Sequence, residues 1–150
     1  MVEVVRVSGD VETAQDALMR FVRTFGLHQP DRTPCGQPLP VSEAHALIEI
    51  AGRGQLRQIE LARRLRLQKS TVSRLVSNLV GRGWVRRSSA ADDGRGVLLE
   101  LTVVGVDTAA RIAEARRDRL TAVLDRIPDD QRAAVVQALH TLAEAADEPR

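Results

Sequence analysis

This 150-residue sequence predicts a mainly α fold that carries one small β-hairpin. Three observations predict it. Apolar residues recur at helical spacing in six separate segments. Between the fourth and fifth of these, the pattern switches to two short β-prone runs around Asp92-Asp93-Gly94, a sequence suited to a hairpin turn. Aromatic residues are scarce, with two Phe, one Trp and no Tyr, so the core has to be built from Leu, Val, Ile and Ala, which favours packed helices. A chain of this length buries roughly two-thirds of its unfolded surface and needs no disulfide or metal to fold. The single Cys35 excludes an intramolecular disulfide and suits a reducing compartment.

The elements follow in order. Gly9-Asp10 precedes a helix expected over 11–27, with Val11, Ala14, Leu18, Phe21, Val22 and Phe25 on one face. Three prolines and a glycine between Asp31 and Pro40 make a loop. Ser42 is placed to cap a second helix, whose apolar face is Ala44, Leu47, Ile48 and Ala51 and which ends at Gly52-Arg53-Gly54. A third helix is expected over 58–64, with Ile59, Leu61, Ala62 and Leu65 facing inward. A short turn at Arg66-Leu67 then leads to a fourth over 69–82, closed by Gly83. In that fourth helix Val72, Leu75, Val76, Leu79 and Val80 form one apolar stripe about 100° wide. The strands are expected over 84–87 and 97–101, with Trp84 as a core residue at the start of the first. Thr102 sits where a helix cap belongs, and a fifth helix runs to about 126 with Val106, Ala109, Ala110, Ile112, Ala113, Leu120, Val123 and Leu124 on its apolar side. Pro128 stops it, and Asp129-Asp130 favour a sixth helix N-terminus both by capping and through the helix dipole. That last helix, over 130–145, carries Ala133, Val136, Leu139, Leu142 and Ala143 at helical spacing.

Charge is unevenly spread. The chain's net charge is only +2, yet Arg53 to Arg95 holds eleven basic against three acidic residues, a local net of +8. A basic block between acidic segments is the footprint of a nucleic-acid contact surface. Two short helices joined by a tight turn, the second polar on its outer face, make a helix-turn-helix. The basic hairpin after them makes it winged. The major groove of B-DNA, about 12 Å wide, admits one α-helix, so a helix packed by one stripe can offer its other face to base edges. That face carries Gln68, Lys69, Ser70, Thr71, Ser73, Arg74, Ser77 and Asn78. Arg74 suits bidentate contact with guanine, Asn78 suits adenine, and the hydroxyls suit bases or phosphates. Arg86, Arg87 and Arg95 on the hairpin suit the backbone or the adjacent minor groove. Few aromatics leave no stacking platform for single strands or RNA.

Leu56 to Leu65, then Lys69-Ser70-Thr71-Val72-Ser73-Arg74-Leu75-Val76, then Leu79 and Gly83-Trp84-Val85-Arg86-Arg87, together with Asp93-Gly94-Arg95 and Leu101-Thr102-x-x-Gly105, resemble the MarR family of bacterial transcription regulators. The resemblance implies a homodimer whose terminal helices interlock while its paired recognition helices and wings read a palindromic double-stranded operator, usually in repression. Apolar faces on the first, fifth and sixth helices that a small monomer cannot easily cover agree with it. Residues 1–41 are then an N-terminal dimerisation helix and loop, 42–101 the winged helix-turn-helix domain, and 102–150 the C-terminal dimerisation helices. It also implies a small phenolic or otherwise amphipathic effector that releases DNA, with His28, Cys35 and His45 positioned near such a cleft. This sequence departs from the family pattern at three places. Arg57 and Gln68 stand where helix caps are usual, and Arg66 stands where the turn usually has Gly, which predicts either a left-handed Arg or a different turn.

No cofactor is expected, and no metal, since the three His are scattered at 28, 45 and 140 without ligand spacing. Catalysis is not expected either: the sequence has no Gly-rich phosphate loop, no nucleophile elbow and no carboxylate pair with a His partner. No apolar run approaches the ~20 residues of a membrane span, and the first ten residues lack a signal-peptide core, which together predict a cytoplasmic protein. The rival reading is a winged-helix protein–protein module without DNA binding. The concentrated charge argues against it, because protein interfaces seldom gather so much of one sign.

Overall fold

The computed structural model describes residues 2–90 and 96–147, with side chains from residue 9 onward. In chain order these form α1 (Val2–Phe25), α2 (Val41–Ala51), β1 (Gln55–Arg57), α3 (Gln58–Leu65), α4 (Lys69–Gly81), β2 (Val85–Ser89), β3 (Val97–Leu101), α5 (Val103–Leu124) and α6 (Asp129–Ala145). The architecture is a winged helix-turn-helix with helical extensions at both ends. The strands form one antiparallel sheet in the order β1-β3-β2, with Leu56 and Arg87 both opposite Leu99. The predicted turn at Asp92-Asp93-Gly94, and Arg95 beyond it, lie outside the described residues.

The core gathers one face from each central element. Leu47 and Ile50 from α2, Leu61 from α3, Val72, Val76 and Leu79 from α4, Leu99 from β3 and Ile112 from α5 are all sealed from solvent. The α4 stripe therefore anchors as its spacing predicts, except that Val80 turns to the rim and is exposed. Ile59 departs further: expected inward, it is 60% exposed. α3 is only eight residues long and docks through Leu61 and Ala62, which leaves its first turn standing over a groove that Val97 also lines.

Two helix starts differ from expectation for one reason. Proline, not the polar residue after it, takes the capping position. Pro40 precedes α2, so Ser42 lies inside the first turn and makes no cap bond. Pro128 precedes α6, so Asp129 and Asp130 serve its dipole but do not cap it. α1 runs through Gly9 instead of starting after it; a lone helical Gly costs about 1 kcal/mol, too little to stop a helix. β1 was not expected, and its three residues form a strand by pairing with the open edge of β3. Trp84 is half-buried against the core.

At the α3–α4 turn the two alternatives resolve to the left-handed one. Arg66 has φ 55° and ψ 36°, while its N–H and that of Leu67 donate to Arg63 O and Ala62 O at 3.2 and 3.1 Å. Its guanidinium pairs with Asp147 beyond α6. Neither Arg57 nor Gln68 supplies a side-chain cap bond.

The start of α5 ties the wing to the end of α4. Gly83 closes α4 at φ +73°, and Trp84 N–H donates back to Leu79 O at 3.0 Å. Thr102 Oγ1 accepts from Gly105 N–H at 3.0 Å and donates to Gly83 O at 2.6 Å. A Cβ at Gly105 would stand 1.9 Å from Trp84 O. Gly105→Ala is therefore expected to cost about 1–3 kcal/mol, as other overpacking substitutions do. A thermal unfolding midpoint equal to that of the wild type would contradict this close approach.

Outside this core, much of the apolar surface of the terminal helices stays in solvent. Val106 and Leu120 on α5 are exposed, α6 buries no residue, and none of the described side chains of α1 is buried.

Candidate nucleic-acid interface

With Val72, Leu75, Val76 and Leu79 locked into the core, the opposite side of α4 has to face outward. Lys69, Ser70, Ser73, Arg74, Ser77 and Asn78 are exposed there, with Gln68 just before them and Thr71 half-buried at the flank. The face is amphiphilic by hydrogen-bonding type: two cations, an amide and a row of hydroxyls.

The predicted contact residues nevertheless fall into three groups. Lys69 and Arg74 have no ion-pair partner among the described residues and project freely. Arg87 lies on the side of the sheet that faces α4. It donates to Ser77 Oγ at 2.9 Å and to Ser73 O at 3.3 Å, and Ser77 Oγ itself donates to Ser73 O at 2.9 Å. These bonds dock the wing strand on the helix while leaving the Arg87 charge unneutralised. Arg86 and Asn78 each have a carboxylate partner within the chain. Strand alternation turns Arg86 to the far side of the sheet, where Glu100 Oε2 accepts from its Nε and Nη2 at 3.1 and 2.8 Å. That bond, ahead of a weaker one from Gln55, holds the Glu100 carboxyl below its ordinary pKa. Asn78 Nδ2 donates to Glu43 Oε1 at 3.1 Å. Arg95 lies outside the described residues.

The +8 charge of the 53–95 window is accordingly smaller in space than in sequence. Arg53 pairs with Glu49, Arg63 and Arg64 with Glu60, Arg82 with Glu43 and Arg86 with Glu100. Glu43, Glu49 and Glu100 all lie outside that window. Among the described residues, what survives as unneutralised positive charge at the α4 face is Lys69, Arg74 and Arg87. The focus is sharper than the count suggested.

A second feature lies on the other side of α2. A cleft of about 270 Å³ opens between the end of α1, the 33–35 loop, α2 and α5, lined among others by Phe25, Cys35, His45, Arg116 and Arg119. Of the residues expected near such a cleft, Cys35 and His45 are there, and His28 is exposed and not part of its wall. Partial burial, then the Arg116 guanidinium, lower the His45 pKa, against a smaller opposing pull from Glu49. Arg119 sits 5.5 Å over the Phe25 ring, and its Nε is buried without a hydrogen-bond partner among the described residues. Cys35 Sγ is 3.0 Å from Thr33 Oγ1. Sequence reading missed Arg116 and Arg119. Their spacing from buried Ile112, four and seven residues on, put them on its face, but long charged side chains on a helix are read by default as solvated.

Among the described residues, no cluster of His, Cys, Asp or Glu could hold a metal ion, and no helix is long and apolar enough to cross a membrane. A family model described as MarR family matches residues 37–96. A curated relative, an uncharacterised HTH-type transcriptional regulator of Mycobacterium leprae, is 27% identical over 145 residues, covering 95% of this chain and 98% of its own. The fold is similar to that of a MarR family transcriptional regulator from Streptomyces coelicolor solved in complex with DNA. The TM-score is 0.73 at 25% identity, over 91% of each chain. It is also similar to that of a probable transcriptional regulator from Pseudomonas aeruginosa, with a TM-score of 0.72 at 22% identity over 85% of this chain and 95% of that one.

Proposed function

We propose that this chain, which matches the MarR family model over residues 37–96, is a sequence-specific, double-stranded-DNA-binding repressor that works as a homodimer and is released by a small-molecule effector. The observation that carries this reading is the α4 face. Its polar and cationic side is held outward by a fully buried stripe and stands beside Arg87 on the wing. Lys69 and Arg87 suit phosphates, and Arg74, midway along the helix, suits the guanine edge; Ser70, Thr71, Ser73 and Gln68 complete the contact surface. By their charge, Arg86 and Arg95 suit the neighbouring backbone.

The dimer reading rests on exposure. Val11, Leu18 and Phe21 of α1, Val106 and Leu120 of α5, and Val136, Leu139 and Leu142 of α6 leave large apolar side chains in solvent, at helical spacing. Patches of that kind on a small chain mark an interface. Residues 1–41 and 102–150 are thereby dimerisation segments and 42–101 the DNA-binding domain. In the effector reading, the cleft beside α2 takes an amphipathic or phenolic ligand against Phe25, with Arg116, Arg119 and His45 offering donors and Cys35 in the wall.

Selecting bound DNA from a random pool with the purified protein tests the proposal. The expected product is a palindrome whose half-sites lie about 34–36 Å apart, centre to centre. Its affinity should fall steeply with rising salt as phosphate contacts release counterions. Equal affinity for every sequence in the pool would reject the reading.

A further inference from the structure

Glu43 is 3% exposed, in the first turn of α2. A carboxylate withdrawn from water at such a site needs partners, because burial without them leaves its charge uncompensated. Both of its described partners belong to the recognition helix or its end. Asn78 Nδ2 donates to Oε1 at 3.1 Å, and Arg82 Nη2 stands 3.5 Å from Oε2, which accepts no hydrogen bond from any described residue. Arg82 is fixed from its other side, its guanidinium 4.9 Å from the centre of the Trp84 ring. The positive end of the α2 dipole favours a negative charge at this position as well. So α4 is held by a directional polar contact to α2 near its end, in addition to the apolar packing of Val72, Leu75, Val76 and Leu79, which by itself constrains rotation about the helix axis less.

Resting on the reading of α4 as the DNA-recognition helix, we propose that Glu43 and Asn78 are positioning residues. Their pairing, buried on the Glu43 side, sets the rotation of α4 about its own axis, and so the angle at which Arg74, one turn before Asn78, meets the bases. Asn78 contributes to specificity through Glu43 and not by reading a base. A helix 2.3 Å in radius with a side chain of several ångströms moves a guanidinium by over an ångström for a rotation of about ten degrees, and that is enough to spoil a bidentate hydrogen bond.

An exchange experiment on the full-length protein and its selected operator tests this. Asn78→Asp sets one carboxylate against another and is expected to lower the ratio of operator to random-DNA affinity about tenfold or more. Adding Glu43→Gln to it reverses the hydrogen bond, with the introduced amide donating to the introduced carboxylate, which also lies four residues before Arg82. The double variant is expected to recover discrimination to within a few-fold of the wild type. If it stays as poor as Asn78→Asp alone, the proposal is overturned. Should Asn78→Asp fail to fold, Asn78→Ala decides instead, read as affinity for operators mutated one base pair at a time. A loss spread over the whole half-site supports positioning. A loss confined to one base pair, or no loss, overturns it. A wild type that does not discriminate at all would reject the DNA-recognition reading itself, an outcome distinct from failed rescue in a protein that does.

Discussion

Arg74→Ala is expected to lower the affinity for the selected operator by about 1–3 kcal/mol per half-site, and the affinity for random DNA by much less. The reason lies in where the residue sits. Of the three unneutralised cations at the face, Lys69 stands at the N-terminus of α4 and Arg87 on the wing, both suited to the backbone. Arg74 alone projects from the middle of a helix whose underside is locked by Val72, Leu75 and Val76. Loss of a bidentate donor leaves guanine acceptors unpaired in a desolvated groove, whereas loss of a phosphate contact weakens all sequences alike. Lys69→Ala is the matched control: it should lower both affinities together and make the salt dependence shallower by about one unit of log–log slope per half-site. Binding assays of both variants on operator and random duplexes, over a range of salt, separate the two roles. If Arg74→Ala lowered both affinities equally, Arg74 would be a phosphate contact and the base reading would have to move elsewhere on α4.

Much of this face is legible in the residues because it depends on short-range rules. The α4 stripe, the Val97–Leu101 strand and the Thr102 cap follow from spacing and from an acceptor side chain at a helix start. The Arg66 turn was legible as a pair of options; pairing of the Leu67 N–H with Ala62 O selects the left-handed one. What was not legible depends on partners far along the chain. β1 is a strand because of β3, forty-odd residues on, and no three-residue pattern discloses that. Glu43 reads as an ordinary solvated first-turn carboxylate until α4 is laid across it. The same holds for the charge count, since the carboxylates that neutralise Arg82 and Arg86 enter the basic region only on folding. The pairing of Asn78 with that same Glu43, 35 residues away, is likewise not disclosed by its place on the polar face.

The largest expected effect comes from a helix that touches neither the α4 face nor the core. Leu139→Asp combined with Leu142→Asp should convert a dimer to a monomer and lower operator affinity by roughly 10²–10⁴-fold, the factor by which linking two binding modules raises avidity. Both residues are more than half exposed, one turn apart on α6, in line with Val136. Placing a carboxylate at each costs nothing in a lone chain, because no residue of α6 is buried there. At an interface it forces two charges per subunit, four per dimer, out of water without partners, which defeats association. Sedimentation should report a halved mass. The random-DNA affinity, set by one α4 face at a time, should change far less than the operator affinity. Stability separates this from simple misfolding. The wild type should melt at a temperature that rises with protein concentration, as coupled dimers do, and the double variant at one that does not, while its central core of α2, α3, α4 and β3 still unfolds cooperatively. Were the double variant monomeric and still bound to the palindrome at wild-type affinity, one copy would suffice for recognition, and the exposed faces of α1, α5 and α6 would need a different partner.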